Sequence, residues 1–265
     1  MTEQLPLVQR RRTFRTARAV TALLLREMTT AYGRSAFGYL WAVLEPVAGL
    51  MLLSVIFALI FKSPPVGTSF PLFYASGLLP FLAYLDISQK VSVAIRFSKP
   101  LLFYPGVTFV DAIVARALLS AVTQTLVFAI VLTGIIGLFH LDVILDIPAM
   151  CLGLAMALAL GLGIGTLNSF LLSVFPLWER AWAILNRPLL IISCVLFIYE
   201  RVPEMFREVL WYNPLVHVVG QMRRGFYPTY EGAYVSALFV FGVALATFAA
   251  GLALLARYES DIVNS

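Results

Sequence analysis

Few side chains in this sequence could do chemistry, and none is spaced as a catalytic or metal site. His140 and His217 have no serine, cysteine or carboxylate at a catalytic spacing. Cys151 and Cys194 lie inside apolar runs, and neither has a second cysteine or a histidine at ligand spacing. We therefore predict no catalytic residue, no metal site and no cofactor bound by this chain.

Motifs that bind nucleotides are also missing. The sequence contains no Gly-Lys pair, so it cannot form the phosphate-binding loop of an ATPase. The stretch GLGIG at 161–165 resembles a dinucleotide fingerprint, but it lies inside an apolar run with no strand before it. Gly161 and Gly165 form a small-x-x-x-small pair, which favours close packing between membrane helices.

The composition is that of an integral membrane protein. Of the 265 residues, 61% are hydrophobic and 12% are charged, whereas an average soluble domain is about 25% charged and about 45–50% apolar. The net charge of +5 comes from arginines that flank apolar runs. Membrane lipids therefore explain it better than nucleic acid does.

Apolar runs of about 20 residues predict helices that cross the membrane. We predict an all-α fold in a single domain over residues 1–265, with six crossings. An amphipathic helix at 11–31, with its arginines on one arc, is expected to lie in the plane of the headgroups; a disordered basic tail is the alternative. The predicted crossings are 35–61, 70–89, 110–139, 147–177, 182–199 and 232–256.

The distribution of basic residues predicts the orientation. With the N-terminus in the cytoplasm, six crossings return the C-terminus there, and 14 of the 19 Lys and Arg residues fall on the cytoplasmic side. This asymmetry favours cytoplasmic N- and C-termini in a multi-pass protein. The arginines of 201–224 are the exception.

Two carboxylates lie within predicted crossings. An ionisable group there costs about 2.5–3.5 kcal/mol on insertion scales and usually faces the bundle interior or water. Asp86 could instead lie at the level of the inner headgroups. Glu45, just before Pro46, could pair with an arginine or face an aqueous cleft. The aromatic residues near the ends of the crossings could form an interface belt, or a subset could line a path for a sugar polymer.

The segment 200–231 is neither a simple loop nor a crossing. It alternates charges with an apolar patch that is broken at Asn213-Pro214, and proline disfavours helix at the residue before it. Two short helices that enter the outer leaflet and leave on the same side would fit. Non-helical backbone at that depth must be buried in protein or line a wet cavity. The segment is therefore either a re-entrant element beside a pathway or an amphipathic cap on the surface.

Four blocks of the sequence carry a family resemblance. These are LLLREMTTAYGRSAFGYLWAVLEP, SFPLFYASGLLPF, KPLLFYPGVTFVDAIVARALL and WYNPLVHVVGQMRRGFYP. Together they resemble the permease subunit of ABC transporters that export capsular polysaccharide in Gram-negative bacteria, over nearly the whole chain. Permeases for O-antigen or teichoic acid share the opening block and are the alternative. The Leu-Glu-Pro of the first crossing and the Asn-Pro-Leu-Val-His block look most like the capsule branch.

The resemblance implies partners and a location. It implies a homodimer in the bacterial inner membrane, with each subunit docked on one of two ABC ATPase subunits that use ATP and Mg. The polysaccharide, with a lipid anchor, would pass through a channel. A periplasmic co-polymerase or export protein and an outer-membrane export channel would complete the route.

The resemblance also implies roles for particular residues. The in-plane helix and the turn at 91–102 would contact the ATPase, and aromatic positions of the first two crossings would face the glycan. The predicted coupling residues are Arg26, Glu27, Arg96 and Lys99. The predicted conduit residues are Tyr39, Trp41, Glu45, Phe73, Tyr74, Phe81 and Tyr84, and those of the re-entrant exit are Tyr212, Asn213, Pro214, His217, Arg223 and Arg224.

Two other classes of function compete with a permease. A membrane-embedded glycan or lipid transferase would need carboxylates or histidines clustered at one face of the bilayer, and the acids here are scattered. A scaffold could assemble an export machine without conducting anything.

Overall fold

The computed structural model describes residues 15–31, 38–102 and 108–258, and its regular structure there is helical. The predicted residues 11–14 of the first helix lie outside the described part. The helices are α1 (Arg15–Ala31), α2 (Gly38–Ile60), α3 (Phe70–Ser92), α4 (Ala94–Leu102), α5 (Phe109–Phe139), α6 (Ile147–Val174), α7 (Trp178–Ile192), α8 (Glu204–Trp211), α9 (Pro214–Phe226) and α10 (Ala237–Arg257).

Side-chain caps decide where several helices begin. Thr108 accepts a hydrogen bond from the backbone N–H of Asp111 at 3.2 Å, and the Asp111 carboxylate accepts one from the N–H of Thr108 at 2.9 Å. The carboxylate of Asp146 caps α6 by accepting one hydrogen bond from the N–H of Ala149 at 3.0 Å. Ser236 caps α10, so this helix begins at Ala237 although the apolar run is predicted from 232. These bonds satisfy N–H groups that a helix start leaves without partners.

Five helices of the described residues are long and apolar enough to cross a membrane: Leu40–Ile60, Phe70–Ser92, Phe109–Phe139, Ile147–Val174 and Ala237–Arg257. They differ sharply in how far the rest of the chain covers them. In its most apolar window, α3 has 72% of its residues buried, whereas α2 has 17%. Helix α3 is therefore the centre of the bundle, and α2 lies at its edge.

Glycines in α6 allow this helix to pack closely on both of its main neighbours. A Cβ atom added at Gly161 would lie 2.8 Å from the carbonyl oxygen of Tyr84 in α3, and one at Gly165 would lie 2.9 Å from that of Ser88. Gly163, on the other side of α6, meets the carbonyl oxygen of Ala244 in α10. The predicted use of the Gly161–Gly165 pair in close helix packing is confirmed.

The fifth predicted crossing, 182–199, is not one continuous helix. Helix α7 has 15 residues, which gives it a length of about 22 Å, shorter than the hydrocarbon core of about 30 Å. The chain then leaves the helical path over 193–198, where Cys194 has a positive φ of 57°. A short 3-10 turn at Tyr199–Arg201 leads into α8. We call residues 193–198 the break.

Candidate functional site

Four helices meet at a buried ion pair between α1 and α5. Arg116 donates from Nε to Glu27 Oε1 at 3.0 Å, and the two side chains are only 9% and 10% exposed. The same guanidinium donates from Nη1 to the carbonyl oxygen of Lys90 in α3 at 3.0 Å. It also lies 4.4 Å from the centre of the Phe97 ring of α4, and the Arg26 guanidinium lies 5.5 Å from that ring. We call this arrangement the four-helix junction.

An exposed ion pair joins α4 to the start of α7. Arg96 Nη1 lies 3.1 Å from Glu179 Oε2, and both side chains are more than half exposed. Lys99 is half-buried on the same helix as Arg96. The predicted coupling residues thus fall in two groups: Arg26 and Glu27 belong to the four-helix junction, and Arg96 and Lys99 lie on α4 beside it. Their coupling role stays a prediction.

The predicted conduit residues divide between the surface and the interior. Trp41 is 67% exposed and Glu45 is also exposed, both on α2. Tyr39 belongs to α2, and its side chain lies outside the described part of the chain. The predicted residues of α3 are all buried in the apolar core: Phe73, Tyr74, Phe81 and Tyr84. The structure therefore does not bring the two sets together in the single chain, and their place in a conduit stays a prediction.

The buried guanidinium of Arg223 binds the break to α9. Its Nη1 donates to the carbonyl oxygen of Phe197 at 2.8 Å, and its Nη2 donates to that of Val195 at 2.9 Å. The guanidinium carbon lies 4.6 Å from the centre of the Phe73 ring of α3. No carboxylate among the described residues forms an ion pair with it. Burial lowers the pKa of Arg223, but arginine starts so high that the group stays charged.

His217 joins α9 to the residues on either side of it. Its Nε2 lies 2.7 Å from the carbonyl oxygen of Trp211, and its Nδ1 accepts a hydrogen bond from the N–H of Ser236 at 3.1 Å. These partners require a proton on Nε2 and a lone pair on Nδ1, which is the neutral ring. Burial lowers the pKa of His217, and this also favours the neutral form. The histidine therefore holds the start of α10 against α9.

The Asn-Pro pair ends α8 and starts α9. Asn213 accepts a hydrogen bond from the N–H of Leu215 at 3.1 Å, and its amide nitrogen donates to the carbonyl oxygen of Ile192 at 3.0 Å. Pro214 occupies the first turn of α9, where its missing N–H costs nothing. Tyr212 is 72% exposed and Arg224 is also exposed. Of the predicted exit residues, His217 and Arg223 therefore face the interior, whereas Tyr212 and Arg224 face outward.

The connections at this end of the molecule contact one another. The N–H of Asp146, between α5 and α6, donates to the carbonyl oxygen of Gly225 in α9 at 2.9 Å. Arg201 donates to the carbonyl oxygen of Pro65, between α2 and α3, at 3.4 Å. The break, α8 and α9 therefore lie at the same end of the bundle as the α2–α3 and α5–α6 connections.

Sequence reasoning missed several residues of these sites. Arg116 counts in the sequence only as a basic residue at the base of a crossing, yet it is central to the four-helix junction. Glu200 and Tyr230 form a hydrogen bond of 3.0 Å beside a surface cleft of about 580 Å³. No local pattern signals either pairing, because the partners are 89 and 30 residues apart in the chain.

Comparison with known proteins relates the chain to a group of bacterial membrane proteins. It matches no protein-family model. It is 34% identical over 246 residues to the polysialic acid transport protein KpsM of Escherichia coli, covering 93% of this chain and 95% of the relative. It is 24% identical to the capsule polysaccharide export inner-membrane protein CtrC of Neisseria meningitidis and 22% identical to BexB, of the same description, from Haemophilus influenzae; each alignment covers 92% of both chains.

The contact of Arg223 with the break predicts how the neighbouring thiol reacts. In Arg223→Lys, an ammonium group cannot bind both carbonyl oxygens as a planar guanidinium does. A buried acceptor left unpaired costs about 1–3 kcal/mol. The break should therefore open at least about fivefold more often. We expect N-ethylmaleimide to label the buried Cys194 faster by that factor in the purified protein, after the exposed Cys151 is replaced by serine.

The neighbouring residue provides a matched control for this experiment. Arg224→Lys makes the same chemical change one position along α9, at an exposed side chain. It should leave the labelling rate of Cys194 unchanged. Equal labelling rates in Arg223→Lys and the parent protein would contradict the assigned contact.

Proposed function

The chain belongs to a family of inner-membrane proteins for capsule polysaccharide export, and from this we propose that it is the membrane-spanning subunit of an ATP-driven exporter. Its cargo is capsular polysaccharide, which it moves across the bacterial inner membrane. The observation that carries the proposal is an alignment with the E. coli relative over 93% of the chain. The names of the relatives concern capsule polysaccharide and polysialic acid, so O-antigen and teichoic acid are not favoured as cargo.

The energy for export comes from a separate subunit in this proposal. The sequence has no phosphate-binding loop, so an exporter driven by ATP needs another subunit that binds the nucleotide. An ABC ATPase that binds ATP and Mg would supply it, with two ATPase copies for two copies of this chain. A periplasmic export protein and an outer-membrane channel would continue the route.

A second copy of the chain would cover the exposed face of α2. At about 100° per residue, Trp41, Glu45 and Leu52 lie on one side of this helix, and all three are exposed. A carboxylate that faces lipid in a crossing helix costs about 2.5–3.5 kcal/mol. A homodimer with a polar conduit along this face would remove that cost, and Trp41 and Glu45 would then border the conduit.

Six crossings with both termini in the cytoplasm fit the contacts at the two ends of the bundle. The ion pair of Arg96 with Glu179 supports placing the α3–α5 and α6–α7 connections on one side of the membrane. The hydrogen bond of Asp146 with Gly225 supports placing α9 on the other side. The chain must then cross between Glu179 and α9, and α7 together with the break would form that crossing. Residues 200–231 would be the re-entrant element on the outer side.

We expect thiol labelling in intact cells to reveal this orientation. In a background without Cys151 and Cys194, a membrane-impermeant maleimide should label Tyr212→Cys directly. It should label Glu179→Cys only after the cells are permeabilised, because this residue lies at the proposed cytoplasmic end. Both native side chains are exposed. Labelling of Glu179→Cys in intact cells would contradict the proposed orientation.

In this proposal the ATPase contacts the exposed side of α4, and its conformational change is transmitted to the four-helix junction. Because an exposed ion pair is worth about 0–1 kcal/mol, the pair of Arg96 with Glu179 does little for stability. Arg96→Glu should therefore leave membrane insertion unchanged and strongly reduce capsule export. The double variant Arg96→Glu/Glu179→Arg restores an ion pair with reversed charges.

The double variant separates two roles of Arg96. If Arg96 contacts the ATPase, export stays low in the double variant although the internal pair is restored. Normal export in the double variant would mean that only the internal pair matters, and would contradict docking at this residue. Capsule at the cell surface, measured beside the amount of chain in the membrane, is the readout.

The proposed function itself is tested by deleting the gene for the chain. A strain without it should accumulate capsular polysaccharide inside the cell, and expression of the chain should return the polymer to the surface. The purified chain alone should hydrolyse no ATP, whereas the complex copurified with its ATPase should. Surface capsule in the deletion strain would contradict the proposal.

A further inference from the structure

A long apolar groove runs between α2 and α5, away from the sites described above. It has a volume of about 430 Å³, and its walls are two helical stripes with the start of α3 at one end. Val47, Leu50 and Ser54 are on the α2 side, and Gly134 and Leu138 are on the α5 side. All of these residues belong to helices that could cross a membrane, so the open side of the groove faces the hydrocarbon.

The groove is long enough to hold much of one acyl chain. The lining of α2 extends from Val43 to Ala58, which is about 22 Å along a helix axis at about 1.5 Å per residue. Its open side faces the hydrocarbon along this length, so a lipid acyl chain is the slender apolar molecule that can lie in it.

The charge at one end of the groove limits what that chain belongs to. Lys62 follows the end of α2 at Ile60, about one turn beyond Ala58. It is exposed, and no aspartate or glutamate lines the groove. The positive charge at this end complements an anionic headgroup.

We propose that the groove between α2 and α5 binds one acyl chain of an anionic glycerophospholipid, whose headgroup lies beside Lys62. The methylene groups of such a lipid fill the apolar lining. The bound chain joins α2 to α5, two helices that otherwise touch little along the groove. This lipid site depends only on the location of the helices in a membrane, and it stands independently of the cargo.

Two glycines of α5 provide a matched pair of variants. A Cβ atom added at Gly134 or at Gly137 meets no other atom within 4 Å, so leucine fits at either position without disturbing the fold. Leucine also favours helix more than glycine does. Gly134 lines the groove and Gly137 does not. Gly134→Leu therefore fills the groove, and Gly137→Leu adds the same side chain outside it.

Photo-crosslinking measures occupancy of the groove. The purified chain is placed in phosphatidylcholine nanodiscs that contain a phosphatidylglycerol probe with a diazirine in the middle of one acyl chain. After illumination, we expect adducts on peptides that cover residues 43–58 and 130–139. Gly134→Leu should lower their yield by about fourfold for each methylene group displaced, and Gly137→Leu should leave the yield unchanged.

The headgroup is tested with the same lipid in two charge states. Lys62→Gln should lower the yield with the phosphatidylglycerol probe and leave it unchanged with a phosphatidylcholine probe of the same chain. Equal yields in Gly134→Leu and Gly137→Leu would overturn the proposal. So would adducts elsewhere with none at 43–58 and 130–139, because a second copy would then cover the groove.

Discussion

The arrangement of the outer end of the bundle depends on how the chain satisfies the carbonyl groups of its non-helical break. At Val195 and Phe197 the backbone has left α7, so these oxygens have no helical partner, and an unpaired buried acceptor costs about 1–3 kcal/mol. Arg223 donates to both from one planar group. This explains why a cation with no ion pair among the described carboxylates is tolerated there. It also requires a fixed start for α9, which Asn213 provides by bonding to the end of α7 and to the first turn of α9.

The two ends of the molecule use arginine in different ways, and the difference bears on movement. At the four-helix junction, Arg116 is paired with Glu27 in a buried site, where removing one partner costs about 3–5 kcal/mol. The pair of Arg96 with Glu179 is exposed and is worth about 0–1 kcal/mol. Thermal motion can therefore break and re-form the exposed contact while the junction stays intact. A force applied to α4 would move α1, α3 and α5 with it, as the proposed coupling to an ATPase requires.

The sequence predicts where the long helices lie along the chain better than which of their faces pack together. Apolar runs predict the five long helices, because this signal lies within the residues that form each helix. The pairing of Glu27 with Arg116 spans 89 residues, and no local pattern contains it. Predicting which face of α3 is buried fails for a related reason. This helix is apolar on nearly every side, so the sequence cannot tell that its aromatic residues, including Tyr74 and Tyr84, lie in the core. The break inside the fifth run was invisible because residues 188–199 are as apolar as a crossing.

Of the five long helices, α2 is the one that the rest of the chain covers least. Only 17% of its most apolar window is buried, and its two uncovered faces differ in chemistry. The stripe that includes Ser54 lines an apolar groove, whereas Glu45 lies about 150° around the helix from the centre of that stripe. A hydrocarbon chain satisfies the first face but not a carboxylate, and a polar conduit satisfies the second but not the groove. Helix α2 therefore needs two different neighbours, and the proposed lipid and the proposed conduit of a dimer would supply them. Its own chain holds it only at the edge of the bundle.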